Sequence, residues 1–344
     1  MYRRQSTSTA AAALVLLLVG APQLPGQQAE SGRPALPLPD RLPMPTLGGM
    51  QFWADELFFH EWRIQRNVVT GHCRLLDGSD CRHAWGSFRR CVERLDEIKR
   101  ERRLPPMRGK GVVVLHGLGR SRKNMAPLCR YLEREGGYVT FNVGYPSTRR
   151  GIAEHARALA GIVERLDGIE EINFVAHSMG NIVIRHYLAD QTDEKNGRRP
   201  DRRFKRFVML GPPNHGSIVA ARFADDAAFK AILGEAGQEL GREWVWLETD
   251  LAVPRFEFGI VAGGLANGRG FNPLLDGDDD GVVTVASTRL AGAADFTLVP
   301  VLHTFMPIDG TIHELTLRFL QNGCFVSPDQ RRPVLEEERA NIDD

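Results

Sequence analysis

A chain of 344 residues, 42% hydrophobic and 25% charged, has the composition of a soluble globular protein, which excludes wholesale disorder and a collagen-like fibre. Forty-four Lys and Arg against 43 Asp and Glu leave a net charge of +1. That balance lacks the basic excess of nucleic-acid binders, so no nucleic-acid partner is expected. A chain of this size buries a sizeable core without disulfide staples.

Residues 1–29 read as an export signal or short anchor. Arg3 and Arg4 form a positive start, Ala10 to Ala21 is apolar, and Val19-x-Ala21 offers a cleavage site although Pro22 disfavours it. The run is short of the roughly 20 residues a membrane-spanning helix needs. Export to the periplasm, the medium or the envelope is therefore expected, with an uncleaved anchor as the alternative. Pro34, Pro37, Pro39, Pro43 and Pro45 make residues 30–48 an extended linker.

Residues 49–108 form an N-terminal extension whose fold the sequence leaves open. Phe52, Trp53, Phe58, Phe59 and Trp62 crowd its start as core aromatics, and Trp62 to Gln65 suits a strand. Over Ala84 to Arg103, Phe88, Cys91, Val92, Leu95 and Ile98 recur at three and four residues, the period of an amphipathic helix. For an exported chain, one disulfide among Cys73, Cys81 and Cys91 is expected. His72 and His83 lie beside Cys73 and Cys81, but the spacing fits no standard zinc pattern, and no metal is expected.

From Gly111 the rhythm changes. Apolar runs at 111–115, 138–143, 172–176, 207–210, 256–262 and 296–302 alternate, over the first four, with helix-period stretches such as 152–166 and 181–188. Continuous apolar strands between helices predict a mostly parallel sheet covered on both faces. The basic run Arg198, Arg199, Arg202, Arg203, Lys205 and Arg206 reads as a solvated loop before the fourth strand.

The chemistry gathers at Ala176-His177-Ser178-Met179-Gly180, which follows a strand and opens a helix. A serine on so tight a turn projects its hydroxyl above the sheet edge. The positions two before and two after it must be small to clear the neighbouring elements, and Ala176 and Gly180 are. After the first strand of the series comes His116-Gly117-Leu118-Gly119. A backbone leaving the sheet there can aim an amide at the same point. The N–H groups of Leu118 and Met179 would then form an oxyanion hole, worth about 2.7–4 kcal/mol per donor in comparable sites.

With these motifs, with Gly211-Pro212-Pro213-Asn214-His215-Gly216 and with Asp280-Gly281-Val282-Val283, residues 110–325 resemble the α/β-hydrolase superfamily. The resemblance is strongest to bacterial lipases and esterases whose elbow reads Ala-x-Ser-x-Gly, and it extends to lipase-like deacylases related to enzymes that trim lipid anchors. It implies an α/β-hydrolase fold, a catalytic domain over 109–326, and a Ser-His-Asp hydrolase of carboxylic esters that needs no cofactor. It also implies the chain order serine, acid, histidine.

Of the downstream histidines, His186 lies on the elbow's own helix, His215 precedes any plausible acid, and His313 sits in a helix pattern over 311–319 as a packing or surface residue. His303 ends the last strand, where the resemblance places the base. The acid is sought among Asp276, Asp278, Asp279 and Asp280. Only Asp280 is followed at once by a turn glycine and an apolar pair that carries the chain back into the core, while the other three are expected in water. A calcium site among these residues is not expected, because the register of an EF-hand loop is not completed by Glu.

Residues 214–255 contain Phe223, Phe229, Ile232, Leu233, Trp244, Trp246 and Leu247 and read as a helical lid. Residues 327–344 are an acidic tail. The expectation is a serine esterase or lipase acting on an ester or lipid, with membrane-surface contact through the lid or the N-terminal segment. A lipid-anchor deacylase or acyltransferase, and a non-catalytic binding module on the same scaffold, are the alternatives.

Overall fold

The computed structural model describes residues 44–45, 50–191, 200–222 and 225–335. The expected leader, most of the linker and the acidic end of the tail lie outside them.

The extension resolves into an antiparallel sheet with a helix on one face. Its strands are β1 (Met44–Pro45), β2 (Trp53–Phe59), β3 (Trp62–Asn67), β4 (Cys73–Leu76) and β5 (Cys81–Gly86), in the order β1-β5-β4-β3-β2. Alternation along β3 assigns the two faces. Trp62 and Ile64 join Cys73, Leu75 and Ala84 against Cys91, Leu95 and Ile98 of helix α1 (Phe88–Glu101). Arg63 and Gln65 take the opposite face and are nonetheless buried. The helix starts later than the periodicity suggests because β5 occupies residues 81–86. Ser87 caps it, its hydroxyl accepting from the Arg90 N–H at 3.2 Å.

The expected disulfide is not formed, and Cys73, Cys81 and Cys91 are all free thiols. Cys73 stands opposite Gly86 in the β4–β5 register, which leaves Cys81 at the far end of β5. Burial pushes the Cys91 thiol up to about 12.

The second sheet is parallel throughout. It comprises β6 (Gly109–Leu115), β7 (Val139–Val143), β8 (Ile169–His177), β9 (Phe204–Leu210), β10 (Glu257–Gly263) and β11 (Asp295–Val299), in the order β11-β10-β9-β8-β6-β7. Between the strands run α2 (Arg122–Gly136), α3 (Ile152–Glu164), α4 (Met179–Gln191), α5 (Ile218–Arg222), α6 (Ala227–Glu239), α7 (Trp244–Glu248) and α8 (Val285–Thr288), and α9 (Gly310–Asn322) follows β11. The central strands feed two cores. Val113, Phe174, Phe207 and Met209 face one side, and Val112, Val114, Val175 and Val208 face the other. Burial on both faces is why these strands read as unbroken apolar runs. The strand order reverses between β6 and β8. In open parallel sheets such a switch point opens a crevice at the carboxyl ends of the strands.

Two boundaries differ from expectation. The last strand stops at Val299, because Pro300 has no N–H to donate to the ladder. His303 therefore opens a 3₁₀ turn over residues 303–308 instead of ending a strand. The insertion over 214–255 is helical, yet much of it belongs to the core: Leu233, Ala236, Leu240, Trp244 and Leu247 are buried in the main cluster. Gly234 kinks α6 at φ 64°, where a Cβ would stand 2.1 Å from the Thr148 carbonyl. Phe223 and the side chains of Phe229 and Ile232 lie outside the described residues.

The N-terminal sheet is stitched to the parallel one. Phe58 stacks edge-on to Phe141 at 5.9 Å. The Asp55 carboxylate accepts from the Gly144 N–H at 2.6 Å and from Gln65 Nε2 at 2.7 Å. Among the described residues no helix is long and apolar enough to cross a membrane.

Candidate active site

Ser178 stands between β8 and α4 with φ +55°. A left-handed backbone at a non-glycine residue stores strain of about 1–3 kcal/mol and persists only where its surroundings over-determine it. Here they do. The Ser178 N–H donates to the Leu210 carbonyl at 2.9 Å, and its own carbonyl accepts from the Asn181 N–H at 3.0 Å and from Asn181 Nδ2 at 2.8 Å. A Cβ on Gly180 would stand 2.8 Å from the His116 carbonyl, so the small residue expected there is required by the neighbouring loop.

That loop runs past the serine. A Cβ on Gly117 would lie 2.9 Å from Ser178 Cβ, which brings the His116–Gly119 segment alongside the elbow as expected. Among the described residues the N–H groups of Leu118 and Met179 have no hydrogen-bond acceptor, and Met179 opens α4, whose first turn leaves its donors free.

Asp280 and His303 meet through two links. Asp280 Oδ2 accepts from His303 Nδ1 at 2.6 Å, and the His303 N–H donates to the Asp280 carbonyl at 2.8 Å. The other carboxylate oxygen accepts from the Val282 and Val283 N–H groups at 3.0 and 2.8 Å, across the turn that Gly281 makes at φ +96°. With Nδ1 donating to the carboxylate, Nε2 carries the lone pair. That atom is buried and has no partner among the described residues, so the Ser178 hydroxyl is not hydrogen-bonded to it.

The neighbouring acids differ from expectation at one point. Asp276 is exposed, but Asp279 is fully buried, accepting from the Gly281 N–H at 2.6 Å and the Asn272 N–H at 3.0 Å. Burial raises its carboxyl above the usual range. Asp278 accepts from the Leu265 and Ala266 N–H groups at 2.7 and 2.6 Å. Asp278 and Asp279 thus hold their own loop, and at Asp279 the backbone donors need an acceptor because water is excluded.

His186 and His215 sit beside Asp190 and Glu248 at 3.6 Å. His313 is a packing residue, bonded through Nε2 to the Pro307 carbonyl at 2.9 Å. Two residues join the site that the sequence reading gave no role. His177 Nε2 donates to the His303 carbonyl at 3.0 Å, and burial lowers its pKa well below the ordinary value, so it holds the His303 backbone as a neutral donor. Gly211, at φ +52°, leaves the space the imidazole occupies: a Cβ there would stand 3.1 Å from His303 Nδ1. His177 was visible inside the elbow motif, but only the fold brings position 303 over it.

No protein-family model matches the chain, and no curated protein does. Solved structures similar to it include the mature lipase BlEst2 of Bacillus licheniformis, at 20% identity and TM-score 0.43, over 63% of this chain and 91% of that one. The metagenomic carboxyl esterase MGS0156 is similar at 20% identity and TM-score 0.45, over 68% and 76%. Phospholipase PlaB of Legionella pneumophila is similar at 17% identity and TM-score 0.46, over 68% of this chain and 60% of that one. By its own strand order, its helices on both faces and the strained serine turn between β8 and α4, the chain is an α/β-hydrolase in fold.

Proposed function

We propose that the protein is a serine hydrolase of carboxylic esters, a lipase or carboxylesterase that works without a cofactor. The observation that carries this reading is the convergence, on one sheet edge, of a serine held at φ +55° and a buried imidazole bonded to a buried carboxylate at 2.6 Å. In the proposed reaction Ser178 Oγ attacks the ester carbonyl while His303 Nε2 takes its proton. Asp280 holds the imidazole in the tautomer that presents the lone pair and stabilises the cation that forms. The tetrahedral oxyanion accepts from the N–H groups of Leu118 and Met179. Collapse expels the alcohol, protonated by His303, and leaves an acyl-serine. Water, deprotonated by the same nitrogen, then releases the acid and restores Ser178.

The substrate proposed is an ester or lipid with an apolar acyl chain, met by an exported enzyme. The unpartnered Nε2 is the chemical argument against a mere binding module, since a buried acceptor without a donor is a cost that a substrate-facing base explains. Lipid-anchor deacylation and acyl transfer use the same acyl-serine and differ only in which acyl acceptor enters.

A fluorophosphonate probe and a panel of p-nitrophenyl esters test the reading together. The wild type should be labelled at Ser178 and should turn over esters. Ser178→Ala should lose labelling and about 10⁶-fold in turnover, as removal of such nucleophiles does elsewhere. Labelling that persists in the variant, or a folded wild type that never labels, overturns it.

A further inference from the structure

A cleft of about 80 Å³ opens between the charged face of the N-terminal sheet and the loop that carries His116, and neither Ser178 nor His303 lines it. Its walls hold Arg63, Arg74, Arg122 and Lys123 against one lining carboxylate, Asp80. That carboxylate is shared, bonding both Arg63 and Arg122, the latter at 2.7 Å. Asp55 stands 3.9 Å from Arg63 and is already taken by Gly144 and Gln65. Among the described residues Arg74 meets the neutral Gln65 Oε1, at 3.0 and 2.8 Å, and the Trp53 ring at 3.7 Å. The wall is thus short of negative charge where burial makes cations costly. Burial lowers both Arg63 and Arg74 to about 10; the Arg122 charge adds to this at Arg63 and the Arg63 charge at Arg74. The 15-residue helix α2 begins at the same wall and adds its N-terminal dipole.

His116 is the second, independent sign of a ligand. It is 1% exposed, lines the cleft, and its Nε2 has no partner among the described residues. Its Nδ1 faces the Gly117 carbonyl at 2.9 Å and so carries the proton, which leaves Nε2 as an acceptor. Burial lowers this imidazole to about 4, so it is neutral near pH 7. The cleft therefore presents cations and one unpartnered imidazole acceptor, a combination met by an anion that also carries a proton.

We propose that this cleft binds a phosphate-type oxyanion, its charged oxygens on Arg63, Arg74, Arg122 and Lys123 and its P–O–H on His116 Nε2. Hydrogen phosphate has that chemistry at neutral pH, and a phosphomonoester has it in its monoanionic form. Sulfate has the shape and charge but no proton at neutral pH. Bidentate guanidinium contacts suit such oxygens.

The test uses the full chain carrying Ser178→Ala, so that it reads binding whether or not the ester chemistry proposed above holds. Inorganic phosphate, titrated by calorimetry, should bind saturably and at least tenfold more tightly than sulfate, a difference of about 1.4 kcal/mol. Arg74→Gln, shown folded by circular dichroism, should weaken phosphate tenfold or more. Lys123→Gln, an exposed change on α2, gives a second variant with the same expected direction. Two further arms separate the sources of the group. Sedimentation with phosphatidic acid vesicles, but not phosphatidylcholine ones, that is competed by phosphate and lost in Arg74→Gln identifies a lipid headgroup. Phosphate binding without vesicle capture identifies a soluble phosphate compound. Absent saturable binding, or equal affinity in wild type and both variants, overturns the site. Sulfate binding as tightly as phosphate overturns the role of His116.

Discussion

The two sheets of this protein bury charge in opposite ways. The parallel sheet turns both faces to apolar cores, and beyond the carboxyl ends of its strands Asp280 bonds His303 at 2.6 Å and Ser178 takes its strained turn. The N-terminal sheet gives one face to Trp62, Ile64 and Leu75 and turns Arg63, Gln65 and Arg74 toward the parallel domain. Chemistry at a sheet's edge needs only loops that leave the sheet, so the strands beneath can be wholly apolar. Charge on a sheet's face needs partners from another element, so the smaller sheet depends on the larger. Asp55 makes that dependence concrete, bonded across the boundary to Gly144.

The largest effect that separates the regions is expected at the edge of the parallel sheet. Asp280→Asn should leave the fold intact and cut ester turnover by about 10⁴, since the imidazole would then favour the wrong tautomer. Asp279→Asn should do the reverse, lowering stability by about 1–3 kcal/mol through its weakened backbone bonds while turnover stays within tenfold. Esterase assays beside urea unfolding distinguish them. A collapse of turnover in Asp279→Asn alone would move the acid by one position and refute the Gly281-turn argument.

Acid sharpens the comparison further, because burial holds three of the parallel domain's buried histidines neutral. Burial lowers His116 to about 4, His155 to about 3 and His177 well below its ordinary 6.5. As pH falls below 6.5 the unfolded chain takes up these protons before the folded one does. The associated stability is therefore complete above that pH and is lost progressively beneath it. Each group contributes about 1.4 kcal/mol per pH unit in that window. Urea unfolding at pH 7.5 and 5.5 should show the loss, and His155→Gln should reduce the slope by about one third. A pH-independent midpoint over this interval would show that these imidazoles are protonated within the fold.

Much of the parallel domain was legible because its strands are buried on both faces, so Val112-Val113-Val114 and Phe207-Val208-Met209 stand out without any periodicity. The turns at Ser178 and after Asp280 were legible because they demand particular small residues, Gly180 and Gly281, whereas His303 stood out only through the resemblance. The N-terminal sheet was not. Trp62-Arg63-Ile64-Gln65 alternates as a half-exposed strand does, and nothing local says that its polar face is also buried. The burial of Asp279 was hidden for the same reason, since its acceptors' partners are backbone amides contributed by loop residues near 272 and 281.

If the N-terminal sheet depends on the parallel one, Asp55→Ala should be felt by both. The change strands the Gly144 N–H and Gln65 Nε2 at a site 1% exposed, at a cost of about 1–3 kcal/mol. One cooperative unfolding transition should shift as a whole when followed by far-ultraviolet circular dichroism and by tryptophan fluorescence, which reports the N-terminal sheet through Trp53, Trp62 and Trp85 and the parallel domain through Trp244 and Trp246. Two separated transitions, the later one unmoved, would make the sheets independent units.

The smallest effect is expected on the insertion between β9 and β10, where one short helix holds two tryptophans of opposite fate. Trp244 is 8% exposed and lies against Gly216, where even a Cβ would come within 2.8 Å of its ring. Trp246, two residues on, is 78% exposed beside Val245 at 71%. Neither apolar side chain gains from folding in water, so stability does not explain them, whereas an acyl chain or lipid surface would bury them at about 25 cal/mol per Å². Trp246→Ala should therefore change the urea midpoint by less than about 0.5 kcal/mol. Its effect should fall on substrate: a several-fold rise in KM for long-chain esters with acetate esters unchanged, because only a long chain reaches beyond the buried serine. Equal behaviour on both ester lengths would leave the exposed end of the insertion without a part in recognition, and a large loss of stability would place Trp246 in the same packed core as Trp244.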